Sequence, residues 1–309
     1  MDYNFLLLEK KYYSLKAINI YNSLGCLYTY DKKFSYKSIN VIICRLSYQL
    51  DKNFLKNFNS LKYIISPTTG LTHIDIEYCQ KNFIKIISLK ELQKKIQNIK
   101  STAELTLGLI FALNRKILFA NNFTKKNLIF NRDLFISNNI EGQTIGLIGL
   151  GRIGKMVAKF SNAIGLRIIY YDKSPVKTSK KYKKKSLKYI FKNADIISLH
   201  INFTKNNYKF INNKLLMLCK KNCLIVNTSR GEIIDQEVLL KQIVHKKIGG
   251  YAADVISQEN NINSLKKFLN KVKNLDNIII TPHIGGFTKE SLNYTEELIA
   301  DYFKKKFIK

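Results

Sequence analysis

Three ionisable residues of different type follow apolar runs in the second half of this chain. Arg230 stands in Thr228-Ser229-Arg230-Gly231, Glu259 lies five residues past Asp254, and His283 stands in Thr281-Pro282-His283-Ile284-Gly285-Gly286. Reduction of a 2-oxo acid needs those three types. A cation holds the substrate carboxylate and polarises the ketone, an acid gives a proton to the new alkoxide, and a carboxylate keeps that acid protonated. The chain has four histidines. His73 and His245 lack a comparable setting, while His200 ends an apolar run and is placed to line a cofactor cleft.

A glycine motif supplies the other half of such a reaction. Gly149-Leu150-Gly151-Arg152-Ile153-Gly154 fits G-x-G-x-x-G. The apolar run 144–148 precedes it, a helical pattern over 155–163 follows, and a second strand-like run, 167–171, ends in Asp172, 18 residues past Gly154. That context makes it a dinucleotide-binding unit. The glycines allow a tight turn and let a pyrophosphate approach the backbone, and N–H groups at the helix start bind the anion. Asp172 accepts hydrogen bonds from ribose hydroxyls and repels a 2′-phosphate, so the expected cofactor is NAD rather than NADP.

The elements that must position these residues alternate along the chain. Strand-like runs at 41–44, 61–65 and 83–87, with an amphipathic stretch over 51–58, make the first hundred residues a set of short α/β units. One apolar helix is predicted over 101–120, opened by a capping box of Ser101 and Glu104. A polar stretch (121–139) follows, then strands at 144–148, 167–171, 196–199, 224–227, 249–253 and 277–281. An amphipathic helix closes the chain over 288–309. The fold class is therefore α/β with parallel sheets. Ligands of open parallel sheets bind at the carboxyl ends of strands, so Arg230, Glu259 and His283 are expected to converge on one cleft.

Composition bounds the rest. The chain has 309 residues, 46% hydrophobic, enough for two ordinary domains or one large one, and for a real core. No apolar run is long enough to span a bilayer, and Leu6-Leu7-Leu8 lacks the flanks of a secretory signal. The expected location is the cytoplasm. Five scattered cysteines fit a reducing compartment, and Cys219 with Cys223 reads as apolar filler, so no metal site is expected. The net charge of +30 raises the question of nucleic acid, but only six of the 52 basic residues are arginines. Nucleic-acid surfaces favour arginine for bidentate contacts, so no specific nucleic-acid partner and no membrane partner is expected. The positive field still draws anionic substrates.

From about Val41 onward, and most closely from Thr102 to Gly286, the chain resembles the D-isomer-specific 2-hydroxyacid dehydrogenases, which include D-3-phosphoglycerate dehydrogenases and glyoxylate/hydroxypyruvate reductases. Five ordered segments carry the resemblance: residues 102–108, the glycine motif with Asp172, 227–232, 253–255, and 281–286. It implies two doubly wound parallel-sheet domains. A Rossmann cofactor domain (101–286) would be inserted into a flavodoxin-like substrate domain (1–100 with 287–309), with the cleft at their junction. It implies that Arg230 binds substrate, that His283 is the acid/base and that Glu259 pairs with it. Arg152 and Ile153 would offer N–H groups to the pyrophosphate, and Thr228, Ser229, Gly285 and Gly286 would border the cofactor. Asp254 would face the nicotinamide carboxamide. In the loop 68–75, Thr69 and Gly70 would present N–H donors to the substrate carboxylate; the family usually carries glycine where this chain has Thr68. Arg45 is a further substrate-anion candidate. A homodimer through the cofactor domain is implied as well.

Two other readings remain open at this level. A formate dehydrogenase shares the fold, although glutamine is usual there at the position of Glu259. A dinucleotide-sensing binding protein on the same fold can retain Arg230, Glu259 and His283.

Overall fold

The computed structural model of the chain describes residues 3–307. They form two compact units. One comprises the residues up to Ile99 together with those from Phe287 onward, and the other is Lys100–Gly286.

The first unit is built on β1 (Tyr3–Leu7), β2 (Gly25–Thr29), β3 (Val41–Ile43), β4 (Tyr63–Ser66) and β5 (Lys85–Ser88). Among the described residues they make a parallel sheet in the order β2-β1-β3-β4-β5. Its central strands are apolar on both faces, because helices cover both. Short helices α1 (Leu15–Asn22), α2 (Lys52–Leu55) and α3 (Ile76–Lys81) start on side-chain caps: Ser14, Asp51 and Asp75 each accept a backbone N–H from the first turn. The C-terminal helix Lys289–Phe307 packs Ile299, Ala300 and Phe303 against Tyr3, Phe5 and Ile87. Sequence reading placed β3, β4 and β5 but read neither β1 nor β2 as a strand.

The second unit opens with α4 (Ser101–Asn114) and α5 (Ile117–Asn127). These correct the expectation of one helix over 101–120. Lys116 between them takes a left-handed conformation (φ 54°) and turns the chain, and α5 buries no residue that would hold it in line with α4. The predicted capping box is absent too. Ser101 is already inside the helix, and the capping position belongs to Lys100, which makes no side-chain cap. Then come β6 (Thr144–Ile148), α6 (Arg152–Ala163), β7 (Arg167–Tyr171), β8 (Lys183–Lys184), α7 (Leu187–Asn193), β9 (Ile196–Leu199), α8 (Asn213–Leu216), β10 (Leu224–Asn227), α9 (Gln236–Val244), β11 (Gly250–Ala253), α10 (Ile262–Val272) and β12 (Ile278–Ile280). The parallel sheet has the order β12-β11-β10-β9-β6-β7-β8. The chain leaves β6 toward β7 on one side and returns through β9 on the other. A crevice therefore opens at the carboxyl ends of β6 and β9, where open α/β sheets take their ligands.

A buried polar knot fixes the first unit's C-terminal helix. The Arg45 guanidinium donates to the carbonyls of Glu9 (3.1 Å) and Lys11 (2.7 Å) and lies 3.2 Å from Glu296 Oε1. The Ser14 N–H donates to Glu296 Oε2 at 2.7 Å. Glu296 is fully buried, and burial pushes its carboxyl up to about 7 against the opposing pull of the Ser14 N–H and Arg45. The folded chain thus holds this proton more tightly than the unfolded one. The stabilisation is complete below about 4.5, the ordinary value, and is lost as pH rises through about 7. Scanning calorimetry at pH 5 and pH 8 should show the wild-type melting temperature falling relative to that of Glu296→Gln, whose amide does not titrate. Parallel changes in the two proteins would exclude Glu296 as the titrating group.

Candidate active site

The glycine motif sits at the crevice between β6 and β9. The Gly149 N–H donates to the Tyr171 carbonyl at 2.8 Å. Asp172, at the end of β7, accepts the Leu150 N–H (2.8 Å) on one oxygen and the Ser174 N–H (3.0 Å) on the other. The carboxylate therefore lies against the turn. Gly151 stands at the N-cap of α6 and no side chain caps that helix. A Cβ on Gly151 would meet nothing within 4 Å, whereas one on Gly154 would lie 2.2 Å from the Gly149 carbonyl oxygen. Gly154 thus lets the first turn of α6 close onto the loop, and Gly151 leaves open space before the helix start. This cradle fits a dinucleotide pyrophosphate, whose charge suits the helix N-terminus. Arg152 and Ile153 form the first turn of α6, and burial lowers the Arg152 guanidinium from its ordinary value. His200 borders the same turn. Burial pushes it down to about 3, so it is neutral at physiological pH, and its Nε2 lies 2.9 Å from Ser198 Oγ.

Arg230, Glu259 and His283 come together at the ends of β10, β11 and β12. His283 Nδ1 lies 2.5 Å from Glu259 Oε1. Glu259 Oε2 accepts the Ile256 N–H at 3.4 Å. Burial lowers the Arg230 guanidinium, and the charges of Glu259, Glu232 and Asp254 oppose that shift. It remains a cation at neutral pH. Gly231 is what admits this packing: a Cβ there would lie 2.0 Å from the Ile256 carbonyl carbon. His283 itself has φ 53°, a left-handed conformation that costs an L-residue about 1–2 kcal/mol. Its N–H is held by the Asp254 carbonyl at 2.9 Å.

Asp254 is 2% exposed. Its carboxylate accepts from the Thr281 hydroxyl (2.6 Å) and the N–H groups of Ile284 (2.8 Å) and Gly285 (2.7 Å). Burial raises this carboxyl, and those three donors and the charge of His283 oppose the shift. Thr228 and Ser229 follow β10, whose last residue, Asn227, accepts the Ser229 N–H (3.0 Å) and hydroxyl (2.8 Å) and donates to the Arg230 carbonyl (3.0 Å). In the other unit, Thr69 is exposed and Gly70 half-buried in the loop after β4. Arg45 is 8% exposed and committed to Glu9, Lys11 and Glu296, which withdraws it from the set of groups that could meet an anion from solution.

The family model for the NAD-binding domain of D-isomer-specific 2-hydroxyacid dehydrogenases matches residues 107–285. The chain belongs to this family. It is an NAD-dependent oxidoreductase that exchanges a hydride with C2 of a small 2-hydroxy or 2-oxo acid. The dehydrogenase is 31% identical over 268 residues to the hydroxypyruvate reductase of Thermotoga maritima, covering 86% of this chain and 85% of that one. It is 29% identical over 273 residues to the glyoxylate reductase of Thermococcus litoralis, covering 85% and 79%. Among solved structures, the D-lactate dehydrogenase of Aquifex aeolicus, crystallised with NAD and lactic acid, superposes with a TM-score of 0.80 at 27% identity, covering 97% and 94%.

Several residues that shape the dehydrogenase's site were not singled out in the sequence. Asn227 pins the Arg230 loop, Thr106 Oγ1 lies 2.8 Å from Thr228 Oγ1, and Thr281 bonds Asp254. Thr106 is fully buried in an apolar helix, and a hydroxyl on the buried face of such a run is the signal that could have found it. Asn227 is an amide at the end of an apolar strand, next to the Thr-Ser-Arg-Gly segment. The two glycines of the cofactor turn should respond oppositely to a methyl group. Gly154→Ala should cost about 1–3 kcal/mol of stability by overpacking, while Gly151→Ala should leave the melting temperature nearly unchanged. Thermal melts of both variants check this, and equal losses would contradict the geometry.

Proposed function

We propose that the dehydrogenase acts on an acid of the glyoxylate, hydroxypyruvate or phosphoglycerate type, with Arg230, Glu259 and His283 at the reacting carbon. The observation that carries this reading is the 2.5 Å contact of His283 Nδ1 with Glu259, which leaves Nε2 to face substrate. Bound NADH supplies the hydride to C2. Arg230 holds the carboxylate in its planar fork and polarises the C2 carbonyl. His283 gives the Nε2 proton to the C2 oxygen as negative charge develops there, and Glu259 stabilises the imidazolium beforehand. In oxidation the same nitrogen takes the hydroxyl proton. The names of the relatives support the substrate class, and Glu259 favours this chemistry over formate oxidation, which releases no alcohol proton.

The remaining roles complete this reading. Gly149, Gly151, Arg152, Ile153 and Gly154 receive the pyrophosphate, and Asp172 accepts the adenosine ribose hydroxyls. Thr228, Ser229, Gly285 and Gly286 border the nicotinamide half. Asp254 holds the His283 loop through three accepted hydrogen bonds, and the remaining acceptor capacity of its carboxylate faces the nicotinamide carboxamide. The first unit is the substrate domain, and the N–H groups of Thr69 and Gly70 take the substrate carboxylate. The enzyme works in the cytoplasm, which its five free cysteines suit.

Kinetics with NADH and a panel of glyoxylate, hydroxypyruvate, 3-phosphohydroxypyruvate and pyruvate tests the substrate class. His283→Ala should lower kcat by about 10²–10⁴, the usual worth of a positioned acid, and Glu259→Gln should lower it less. Arg230→Lys should raise KM and lower kcat with NADH affinity unchanged, because the fork is lost and the charge kept. Full activity of His283→Ala would overturn the mechanism. Asp172→Ser should narrow the preference for NAD over NADP, and a wild-type preference for NADP would misplace Asp172.

The enzyme is a homodimer through its cofactor unit. The segment after α4 supports this: Leu128 is 90%, Phe130 100% and Ile136 83% exposed, while Phe119, Phe123 and Phe135 pack on one another. So large an apolar surface is costly in water. Sedimentation should find a dimer in wild type and a monomer in Phe130→Asp/Ile136→Asp; a wild-type monomer at micromolar concentration would contradict it.

A further inference from the structure

Thr68 occupies the loop that follows β4. Its φ is not positive, so a side chain is accommodated without backbone strain. That side chain is fully engaged. Thr68 Oγ1 donates to the Gly70 carbonyl at 2.8 Å and lies 2.9 Å from Ser66 Oγ. Ser66 Oγ lies 3.4 Å from His73 Nε2, which also touches Cys44 Sγ at 3.8 Å. Ser66 and His73 are buried, Thr68 and Gly70 are half-buried, and Thr69 is exposed.

The hydrogens can be assigned by elimination. A threonine hydroxyl has one proton, and here it goes to the Gly70 carbonyl. Ser66 must then donate to Thr68. With its own proton spent, Ser66 is left to accept from His73, which it does when Nε2 carries the proton. The relay runs one way, from His73 through Ser66 and Thr68 to the carbonyl of Gly70. Its two hydroxyl-bearing residues are tied down. Ser66 belongs to the paired end of β4, and the Thr68 carbonyl accepts the Leu89 N–H at 3.1 Å. Gly70 is the residue of the loop with the greatest backbone freedom, and the relay removes it.

We propose that Ser66, Thr68 and His73 are positioning residues, a hydroxyl clamp that presets the 69–70 backbone for the substrate carboxylate. The inference rests on the proposed role of the Thr69 and Gly70 N–H groups. Without the clamp, loop ordering must be supplied at binding, so affinity for the 2-oxo acid falls while the chemical step is retained.

The test is steady-state reduction of glyoxylate by wild type, Thr68→Val, Thr68→Ser and Ser66→Ala, with NADH affinity measured separately. Thr68→Val keeps shape and loses the hydroxyl; Thr68→Ser keeps the hydroxyl. Thr68→Val and Ser66→Ala should raise KM about five- to tenfold, the worth of one hydrogen bond, with kcat changed less than threefold and NADH affinity unchanged. Thr68→Ser should restore the wild-type KM. An unchanged KM in both Thr68→Val and Ser66→Ala overturns the clamp. Should Thr68→Val fail to fold, Ser66→Ala decides alone. The underlying role of the loop is tested by the amide resonance of Gly70 in ¹⁵N-glycine-labelled wild type titrated with oxamate, a 2-oxo acid analogue. A shift together with an unchanged KM in the variants means that the loop binds and the clamp is idle. No shift removes the loop from the substrate site, and the clamp with it.

Discussion

One buried carboxylate holds the chemistry of the second unit in register. Asp254 lies at the end of β11, between two strands whose following segments carry Arg230 and His283. Its N–H donates to the Asn227 carbonyl of β10, its carbonyl receives the His283 N–H, and its side chain receives three donors from residues 281–285. Burying an ionised carboxylate is costly unless it is well bonded. The bonds that offset the cost are the ones that fix the β12 loop, including the left-handed backbone at His283. Strain there and satisfaction at Asp254 are two sides of one arrangement.

A second constraint acts on the side chain of His283. Its Nδ1 is taken by Glu259, so the ring has one nitrogen to offer. Glu259 is in reach because Gly231 lets the segment after Arg230 press against the backbone at Ile256. A side chain at 231 would drive the cation and the carboxylate apart. Arg230, Glu259 and His283 are thus set by close backbone approach as much as by their own contacts.

The first unit solves a different problem, that of tying its C-terminal helix to a sheet begun by the N-terminal strand. Aromatic packing among Tyr3, Phe5, Tyr63 and Phe303 supplies one part. The Arg45–Glu296 knot supplies the polar part, and this explains why an arginine at the end of β3, where substrate anions are plausible on sequence grounds, is directed inward. In the loop after β4 the hydroxyls of Ser66 and Thr68 meet each other, and that of Thr68 donates to the Gly70 carbonyl.

What the sequence by itself determined was whatever depends on local order. The glycine motif between a strand and a helix, Asp172 after the next strand, and Arg230, Glu259 and His283 after successive strands could all be read, because parallel sheets place strand ends together whatever the side chains between them. Parallel sheets were legible from the alternation of strands and helices, and their division between two domains from the resemblance to a known family. The tertiary structure decided what depends on partners distant in the chain. The break at Lys116, the failed cap at Ser101 and the strands β1 and β2 follow from packing that local propensity does not encode. The burial of Arg45 required Glu296, some 250 residues away, and the roles of Asn227, Thr106 and Asp254 required neighbours on other strands. Hydrogen bonds and desolvation are settled by which groups meet once the chain is folded, and that meeting is not written in any one segment.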